Sequence, residues 1–202
     1  GVTAGPGGEH PLMGTHNRLL RIATVNHPRA YLEIIAVQPG RAPRRARRWF
    51  DLDDEAVRDV LRREGPRLLH FVASVPDIAS AVQALRDLGH EGGTPTHASR
   101  ATPRGLLEWQ IALRADGARL LAGTLPTLIE WGPAHPAAGM PESGVTLQSL
   151  CAYAEPAAAL RQAYEAIGLQ GVAVKAGAPR LCAVLASPRG RGPLEAWEAS
   201  FP

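Results

Sequence analysis

Long apolar runs, a targeting signal and cysteine are all scarce or absent in this sequence of 202 residues. No run of about 18 apolar residues occurs, so the sequence predicts no membrane-spanning helix. Residues 1–6 lack the basic and apolar regions of a signal peptide, which predicts a cytoplasmic protein. The two cysteines, Cys151 and Cys182, have no metal-type spacing and lie in apolar runs. We therefore expect reduced thiols in the core rather than a disulfide.

The signature loops of several large enzyme classes are also missing. Ser143 lacks the Gly-x-Ser-x-Gly elbow of serine hydrolases, and no glycine-rich loop for a dinucleotide or a nucleoside triphosphate occurs. The net formal charge is only +3, and much of it lies in the arginine-rich residues 41–48. Such a run can bind phosphates, but no recognition helix or aromatic platform accompanies it. It is interpreted as a solvated loop, and no nucleic-acid partner is expected.

The composition that remains is typical of a globular protein. Apolar residues make up 45% and charged residues 20% of the chain, while 21 glycines and 18 prolines predict many turns between short elements. A chain of this length can bury a good core, as one domain or as two small ones.

Residues 67–89 give the clearest structural signal. Residues 68–75 are mostly apolar and predict a buried strand. Asp77 is then placed to cap a helix whose apolar positions recur at helical spacing until Gly89. His70 is the polar residue of the strand, and a buried histidine needs a hydrogen-bond or metal partner to offset its desolvation.

Similar patterns predict the elements on either side. Residues 14–37 are predicted to form a β-hairpin, and Glu33 is the acid of its second strand, where a purely structural strand has little reason to bury one. A helix is predicted over residues 53–63, capped by Asp51 or Asp53. The other predicted elements are a long loop over residues 91–105, strands over 106–113, 127–131 and 145–153, a helix over 156–167, and strands over 172–174 and 181–185.

The order of a strand, a helix and further strands recurs along the chain. An ungapped alignment of Ser149 with His70 matches the third segment to the second as far as Gly168. This predicts an α+β protein of tandem βαβββ units with a curved, half-open barrel-like mixed sheet, the first unit being incomplete. Its open sheet edges favour pairing with the third unit or with a second copy in a homodimer. The predicted segments are a partial first unit over residues 1–48, a linker with a helix over 49–66, a second unit over 67–141 and a third βαββ-type C-terminal extension over 142–202.

Five short motifs occur in an order that resembles a known family. They are Met-Gly-Thr-His-Asn at residues 13–17, Tyr-Leu-Glu-Ile-Ile at 31–35, Leu-His-Phe-Val at 69–72, Thr-Pro-Arg-Gly-Leu-Leu-Glu-Trp at 102–109 and Leu-Ile-Glu-Trp at 128–131. Together they resemble the glyoxalase-like domain of uncharacterised bacterial proteins, in the vicinal-oxygen-chelate superfamily. The resemblance implies that two units enclose a divalent metal ion, and that the opening strand and helix of the first unit precede Gly1.

The resemblance also implies a set of site residues. Glu33, His70 and Glu130 match the metal ligands, and a fourth ligand would precede Gly1. One histidine and two carboxylates suit Fe, Mn, Ni or Zn, and Glu33 or Glu130 would also act in catalysis by shuttling a proton. The implied substrate-binding residues are His16, Asn17, Arg104 and Trp109.

The implied function is that of a glyoxalase- or dioxygenase-like metal-dependent enzyme acting on a small oxygen-rich substrate. The superfamily also contains metal-free proteins that sequester drugs, so a metal-free small-molecule binding protein is the alternative. A structural protein with a filled cavity is a third. The residues themselves leave open that His70 is a hydrogen-bonded core residue, and that Glu33 or Glu130 pairs with Arg18 or Arg21.

Overall fold

The computed structural model describes residues 2, 4, 5 and 7–195. This part of the chain contains three α-helices and eleven strands, which confirms the predicted α+β class. The helices are α1 (Glu55–Glu64), α2 (Ile78–Asp87) and α3 (Ala157–Ala166). The strands are β1 (Glu9–His10), β2 (Thr15–Arg21), β3 (Tyr31–Val37), β4 (Val72–Ser74), β5 (Thr94–Thr102), β6 (Gly105–Leu113), β7 (Thr127–Trp131), β8 (Thr146–Ala154), β9 (Val172–Ala176), β10 (Arg180–Ser187) and β11 (Gly190–Glu195). No helix among these residues combines the length and the apolar character needed to cross a lipid bilayer.

The described strands form three separate sheets. The first is antiparallel, in the order β1-β2-β3. The second has the order β4-β7-β6-β5 and the third the order β11-β10-β8-β9, and each contains one parallel pair, β4 with β7 and β8 with β9. In the second sheet, the opening strand β4 therefore pairs with β7, the last strand of its segment. In the third sheet, the opening strand β8 pairs with β9, the strand that follows it along the chain. The two segments share an order of elements and differ in pairing.

The β2–β3 hairpin lies where the sequence predicts it and presents two different faces. Register pairs such as Leu19 with Glu33 and Arg21 with Tyr31 place these four side chains on the face toward the second sheet. On the other face, Leu20 packs in an apolar cluster with Val145, which precedes the third sheet, and with Leu147 and Leu185 of that sheet. The hairpin is thus held between the two larger sheets.

Aspartates begin two of the helices. Asp77 caps α2, as predicted, by accepting a hydrogen bond from the backbone N–H of Ser80. The predicted caps of α1 are wrong, because Asp54 takes that role. Asp51 instead binds Arg119, and Asp53 binds Arg48 at 2.6 Å. Three aspartates within four positions are equivalent candidates for the cap in sequence, and arginine partners outside the helix engage two of them.

Two predicted boundaries are also wrong. The long loop predicted over residues 91–105 contains β5, which pairs with β6 along its whole length. Its residues are polar except for one proline and two alanines, and none is fully buried, so the strand carries no alternation of large apolar residues that a sequence pattern could detect. The strand predicted over residues 68–75 is only β4, and His70 precedes it.

The main core joins the second and third sheets through α2 and α3. Leu85 of α2, Leu160 of α3 and Leu181 of β10 have no exposed surface and belong to one apolar cluster. In the third sheet, Cys151 and Cys182 are free thiols, as predicted, although they are direct neighbours in the register of β8 and β10.

Candidate functional site

A small cavity lies between the first and second sheets. Its volume is about 70 Å³. Its walls are mostly aromatic and aliphatic, and the polar groups that reach it come from the first sheet and from β5. The lining residues are His10, Asn17, Leu19, Tyr31, Glu33, Trp49, Phe50, Val72, Arg100, Leu107, Trp109, Ile111, Ile129, Trp131 and Pro136. Apolar walls with a few convergent polar groups are typical of small-molecule sites.

Strand alternation explains which side chains reach this cavity. In β2, Asn17 and Leu19 are buried and line it, whereas His16 and Arg18 are exposed on the opposite face. The same alternation in β3 brings Glu33 to the cavity and leaves Ile34 outside, 52% exposed. Alternate residues in the middle of the hairpin therefore face the cavity.

Asn17 is the centre of the polar cluster. Its Nδ2 donates to Glu33 Oε1 at 2.7 Å and lies 3.3 Å from His10 Nε2, and its Oδ1 accepts the backbone N–H of Gly8 at 2.8 Å. His10 Nδ1 is 3.0 Å from Thr15 Oγ1. Both histidine nitrogens thus have partners when Nδ1 carries the proton, a tautomer assigned from these contacts. The network fixes one oxygen of Glu33 and leaves the other for a ligand.

Desolvation shifts the pKa values of the titratable groups in this cluster. It raises the pKa of Glu33, and the hydrogen bond from Asn17 and the charge of Arg100 offset only part of this effect. Desolvation, followed by the charges of Arg100 and His16, lowers the pKa of His10 to about 4. Desolvation likewise raises the pKa of the Tyr31 hydroxyl. At neutral pH His10 is uncharged, and the cluster favours a protonated Glu33 compared with an exposed glutamate.

Two donors at the cavity have no hydrogen-bond partner among the residues that the structure describes. The indole N–H of Trp49 is buried and makes no hydrogen bond within the described residues. Arg100 also makes no hydrogen bond or ion pair there, although its charge affects Glu33, His10 and Tyr31. Its guanidinium lies so close to Gly8 that a Cβ at that glycine would come within 1.9 Å of it. A bound oxygen atom would satisfy either donor.

His70 is engaged away from this cluster. Its Nδ1 lies 3.0 Å from the carbonyl oxygen of Gly123, and its Nε2 accepts the backbone N–H of Thr127 at 3.1 Å. Desolvation lowers its pKa to about 3. Because both ring nitrogens have protein partners, neither offers a free lone pair to a metal ion in this arrangement.

Glu130 also lies outside the cavity. Its neighbours in β7, Ile129 and Trp131, line the cavity, so Glu130 points to the opposite face of the strand. There its Oε2 accepts the backbone N–H of Ile78, the first residue of α2, at 2.8 Å. Within the described part of the chain, no three His, Cys, Asp or Glu side chains are grouped so that they could hold a metal ion. Glu33, His70 and Glu130 are therefore not brought together, and their role as a ligand set stays a prediction.

The structure divides the predicted substrate-binding residues. Asn17 and Trp109 line the cavity with Glu33. His16 is exposed on the far face of β2, and Arg104 lies at the β5–β6 turn, where it donates to the carbonyl of Ala138 at 2.8 Å.

Sequence reasoning missed four further residues at the cavity: His10, Tyr31, Trp49 and Arg100. Tyr31 had a usable signal, since it lies two positions before Glu33 on the same strand. His10 sits in a glycine- and proline-rich stretch that predicts a loop, and Arg100 sits in the polar strand β5. Neither position carries a pattern that points to a site.

The fold defines an α+β protein with a cavity between two of its sheets. A sequence model described as a glyoxalase-like domain matches residues 1–168. The chain belongs to this glyoxalase-like domain family, a member of the vicinal oxygen chelate superfamily. No curated protein matches the chain.

The raised pKa of Glu33 has a consequence for stability. The native state holds the proton of Glu33 above the ordinary pKa of 4.5, where the unfolded chain releases it. Stability should therefore fall as the pH rises from 4.5 through the native pKa. Glu33→Gln keeps an oxygen for Asn17 and cannot ionise, so this loss should disappear in the variant. Urea unfolding of the natural protein and of Glu33→Gln at pH 5 and pH 8 measures how the free energy of unfolding depends on pH. An equal pH dependence in the two proteins would refute the raised pKa of Glu33.

Proposed function

We propose that the protein binds a small oxygen-bearing organic molecule in the cavity between the first and second sheets, and exchanges a proton with it through Glu33. The observation that carries this proposal is the carboxyl group of Glu33, which Asn17 holds at 2.7 Å in an aromatic cavity and whose pKa is raised by desolvation. A carboxyl group tuned toward neutral pH is suited to general acid–base chemistry. Its side chain is 28% exposed, so a ligand can reach it from solvent.

The other lining groups have complementary roles in this proposal. Trp109 and Trp131, whose ring centroids are 5.6 Å apart, provide a surface for the apolar part of the ligand. Arg100 and the indole N–H of Trp49 provide donors for its oxygen atoms. The superfamily includes proteins that bind small ligands, which agrees with this assignment.

The metal-dependent enzyme implied by the sequence resemblance is the competing function. Family membership favours it, because the superfamily is often metal-dependent. The donor geometry does not fit it, since His70 and Glu130 are bound to backbone groups elsewhere and His10 Nε2 lies 4.0 Å from Glu33 Oε1 with Asn17 contacting both. No chemical step is therefore assigned to Fe, Mn, Ni or Zn here, and Glu130 keeps a catalytic role only within this competing function.

A single binding experiment separates the two functions. Catechol, an aromatic molecule with two neighbouring hydroxyl groups, serves as the probe, and calorimetry at pH 7 with a chelator present measures its binding. We expect binding by the natural protein and about tenfold weaker binding by Glu33→Gln, because a hydrogen bond to a charged or polarised partner is lost. Ile34→Ala, the adjacent residue on the outer face, is the matched control and should bind normally.

The outcomes are distinct. Binding that vanishes with chelator and returns with Fe, Mn, Ni or Zn would favour the metal-dependent enzyme. Binding that is equal in the natural protein and in Glu33→Gln would refute the role of Glu33, and no binding in any condition would contradict the proposal.

We also infer three properties that follow from the sequence rather than from this site: the division of the chain at residues 48, 66 and 141, a cytoplasmic location in a bacterial cell, and a homodimer. Exposed strands at sheet edges support the homodimer. Light scattering of the purified protein measures its mass directly, and a monomeric mass would contradict the dimer.

A further inference from the structure

A larger cavity of about 340 Å³ lies at the end of the β2–β3 hairpin, beside the segment that follows β7. Arg21 ends β2, Arg29 lies in the turn before β3, and His135 lies in the segment after Trp131; all three line this cavity. Among the described residues, no acidic side chain lines it. We propose that this second cavity binds the oxyanion group of a small molecule, a carboxylate or a phosphate, between Arg21, Arg29 and His135.

Arg21 is the first observation in favour of this site. Its Nε is buried and makes no hydrogen bond within the described part of the chain. A buried guanidinium N–H without a partner is unfavourable, and an oxyanion in the cavity would supply that partner. Arg21 Nη1 does pair with Glu142 Oε1 at 2.8 Å, but the Glu142 side chain is 80% exposed. Exposed ion pairs of this kind are weak, so Glu142 neutralises Arg21 only in part.

Arg29 provides the second positive charge. It is exposed, and it makes no hydrogen bond or ion pair with the described residues. Its charge nevertheless reaches the cavity, since it contributes after desolvation to lowering the pKa of His135 to about 4. Two guanidinium groups around an unoccupied volume repel each other, and an anion between them removes this repulsion.

His135 presents a neutral donor at the same cavity. Its Nδ1 accepts the backbone N–H of Ala137 at 3.2 Å, so the neutral ring carries its proton on Nε2. Contacts with two aromatic rings hold the imidazole, with centroid distances of 5.2 Å to Trp131 and 6.1 Å to Tyr31. The donor therefore belongs to a ring whose orientation is fixed by packing, as anion recognition requires.

The two cavities are adjacent but chemically different. Trp131 and Tyr31 line the first cavity and contact His135 of the second. The first cavity is mainly apolar and combines Glu33 with Arg100 and His10, whereas the second combines two arginines and a histidine with no acidic residue in its described lining. The oxyanion site does not depend on the function proposed for the first cavity.

Titration of ¹⁵N-labelled protein at pH 7 and constant ionic strength tests the site. The probes are sodium phosphate and sodium acetate, with sodium chloride as the salt control, and the readout is the backbone amide signals of Gly132, Ala137 and Ala138. We expect saturable shifts of these signals with phosphate, acetate or both. Whichever probe saturates identifies the preferred oxyanion.

Three variants make the test specific. Arg29→Gln changes an exposed turn residue and should weaken binding about tenfold, as expected for one charge-assisted contact. Arg21→Gln should weaken it at least as much. Arg18→Gln removes the same charge from the outer face of β2 and should leave binding unchanged. Equal shifts with chloride, unaltered binding in Arg29→Gln, or equal weakening in Arg18→Gln would overturn the proposal. Glu33→Gln should bind phosphate normally, so this test of the oxyanion site is independent of the function proposed for the first cavity.

Discussion

Replacing Leu160 with alanine is expected to lower the free energy of unfolding by about 3–5 kcal/mol, the range for a leucine removed from a rigid core. Leu160 has no exposed surface, and its cluster contains residues of α2 and of the second and third sheets. The surrounding residues belong to separate elements that are joined at this point. They cannot all move inward to fill the space, so a cavity should remain.

Urea unfolding of purified protein measures this loss. Leu106→Ala is the matched control, because Leu106 is 57% exposed and the same change there should stay within about 0.5 kcal/mol. A loss below about 1 kcal/mol for Leu160→Ala would show that the second and third sheets do not share one core.

The second large effect is the acid sensitivity that His70 imparts. Its pKa is about 3 in the folded protein and 6.5 when unperturbed. Between these values the unfolded chain binds the proton and the folded chain does not, so stability falls as the pH drops from 6.5 toward 3. The slope from this one group approaches about 1.4 kcal/mol per pH unit. The main physical reason is desolvation by burial, and a proton on Nε2 would also face the N–H of Thr127, which already donates to that nitrogen.

His70→Gln tests this effect because glutamine does not titrate. The variant should be less stable than the natural protein at pH 7, by about 1–3 kcal/mol for the imperfectly replaced hydrogen bonds. Its stability should nevertheless depend less steeply on pH between 6.5 and 4. His97, exposed on β5, is the control position, and His97→Gln should keep the original slope. An unchanged slope in His70→Gln would mean that other groups cause the acid sensitivity.

The sequence predicted those elements that are determined by a few neighbouring residues. The Asp77 cap, the apolar face of α2 and the alternation of the β2–β3 hairpin are all properties of a few adjacent residues, and each is confirmed. β5 has no such signal, because its polar residues are ordered by pairing with β6 rather than by burial. The choice of Asp54 over Asp51 and Asp53 depends in the same way on contacts outside the helix, since Arg119 binds Asp51 and Arg48 binds Asp53.

The candidate site shows the same limit. Glu33, Asn17 and Trp109 were predicted and do meet at one cavity, whereas Glu130 lies on the other face of its strand. A motif gives the residue type and its position, but the face toward which a strand residue points depends on how the strand packs. His10 reaches the cavity only because β1 pairs with β2, which no local pattern at His10 indicates.

The β2–β3 hairpin contributes side chains to both cavities, and this restricts how its length can change. Asn17 and Glu33 lie within the paired part of the hairpin, and Arg21 and Arg29 lie at its turn. Inserting a single residue within either strand would reverse the faces of the residues beyond it, and an insertion just before Asn17 would turn Asn17 outward and Arg18 inward. Insertions confined to the turn leave the pairing intact. Variation in the distance between the two sites is therefore expected to accumulate in residues 22–30, while the strands themselves keep their length.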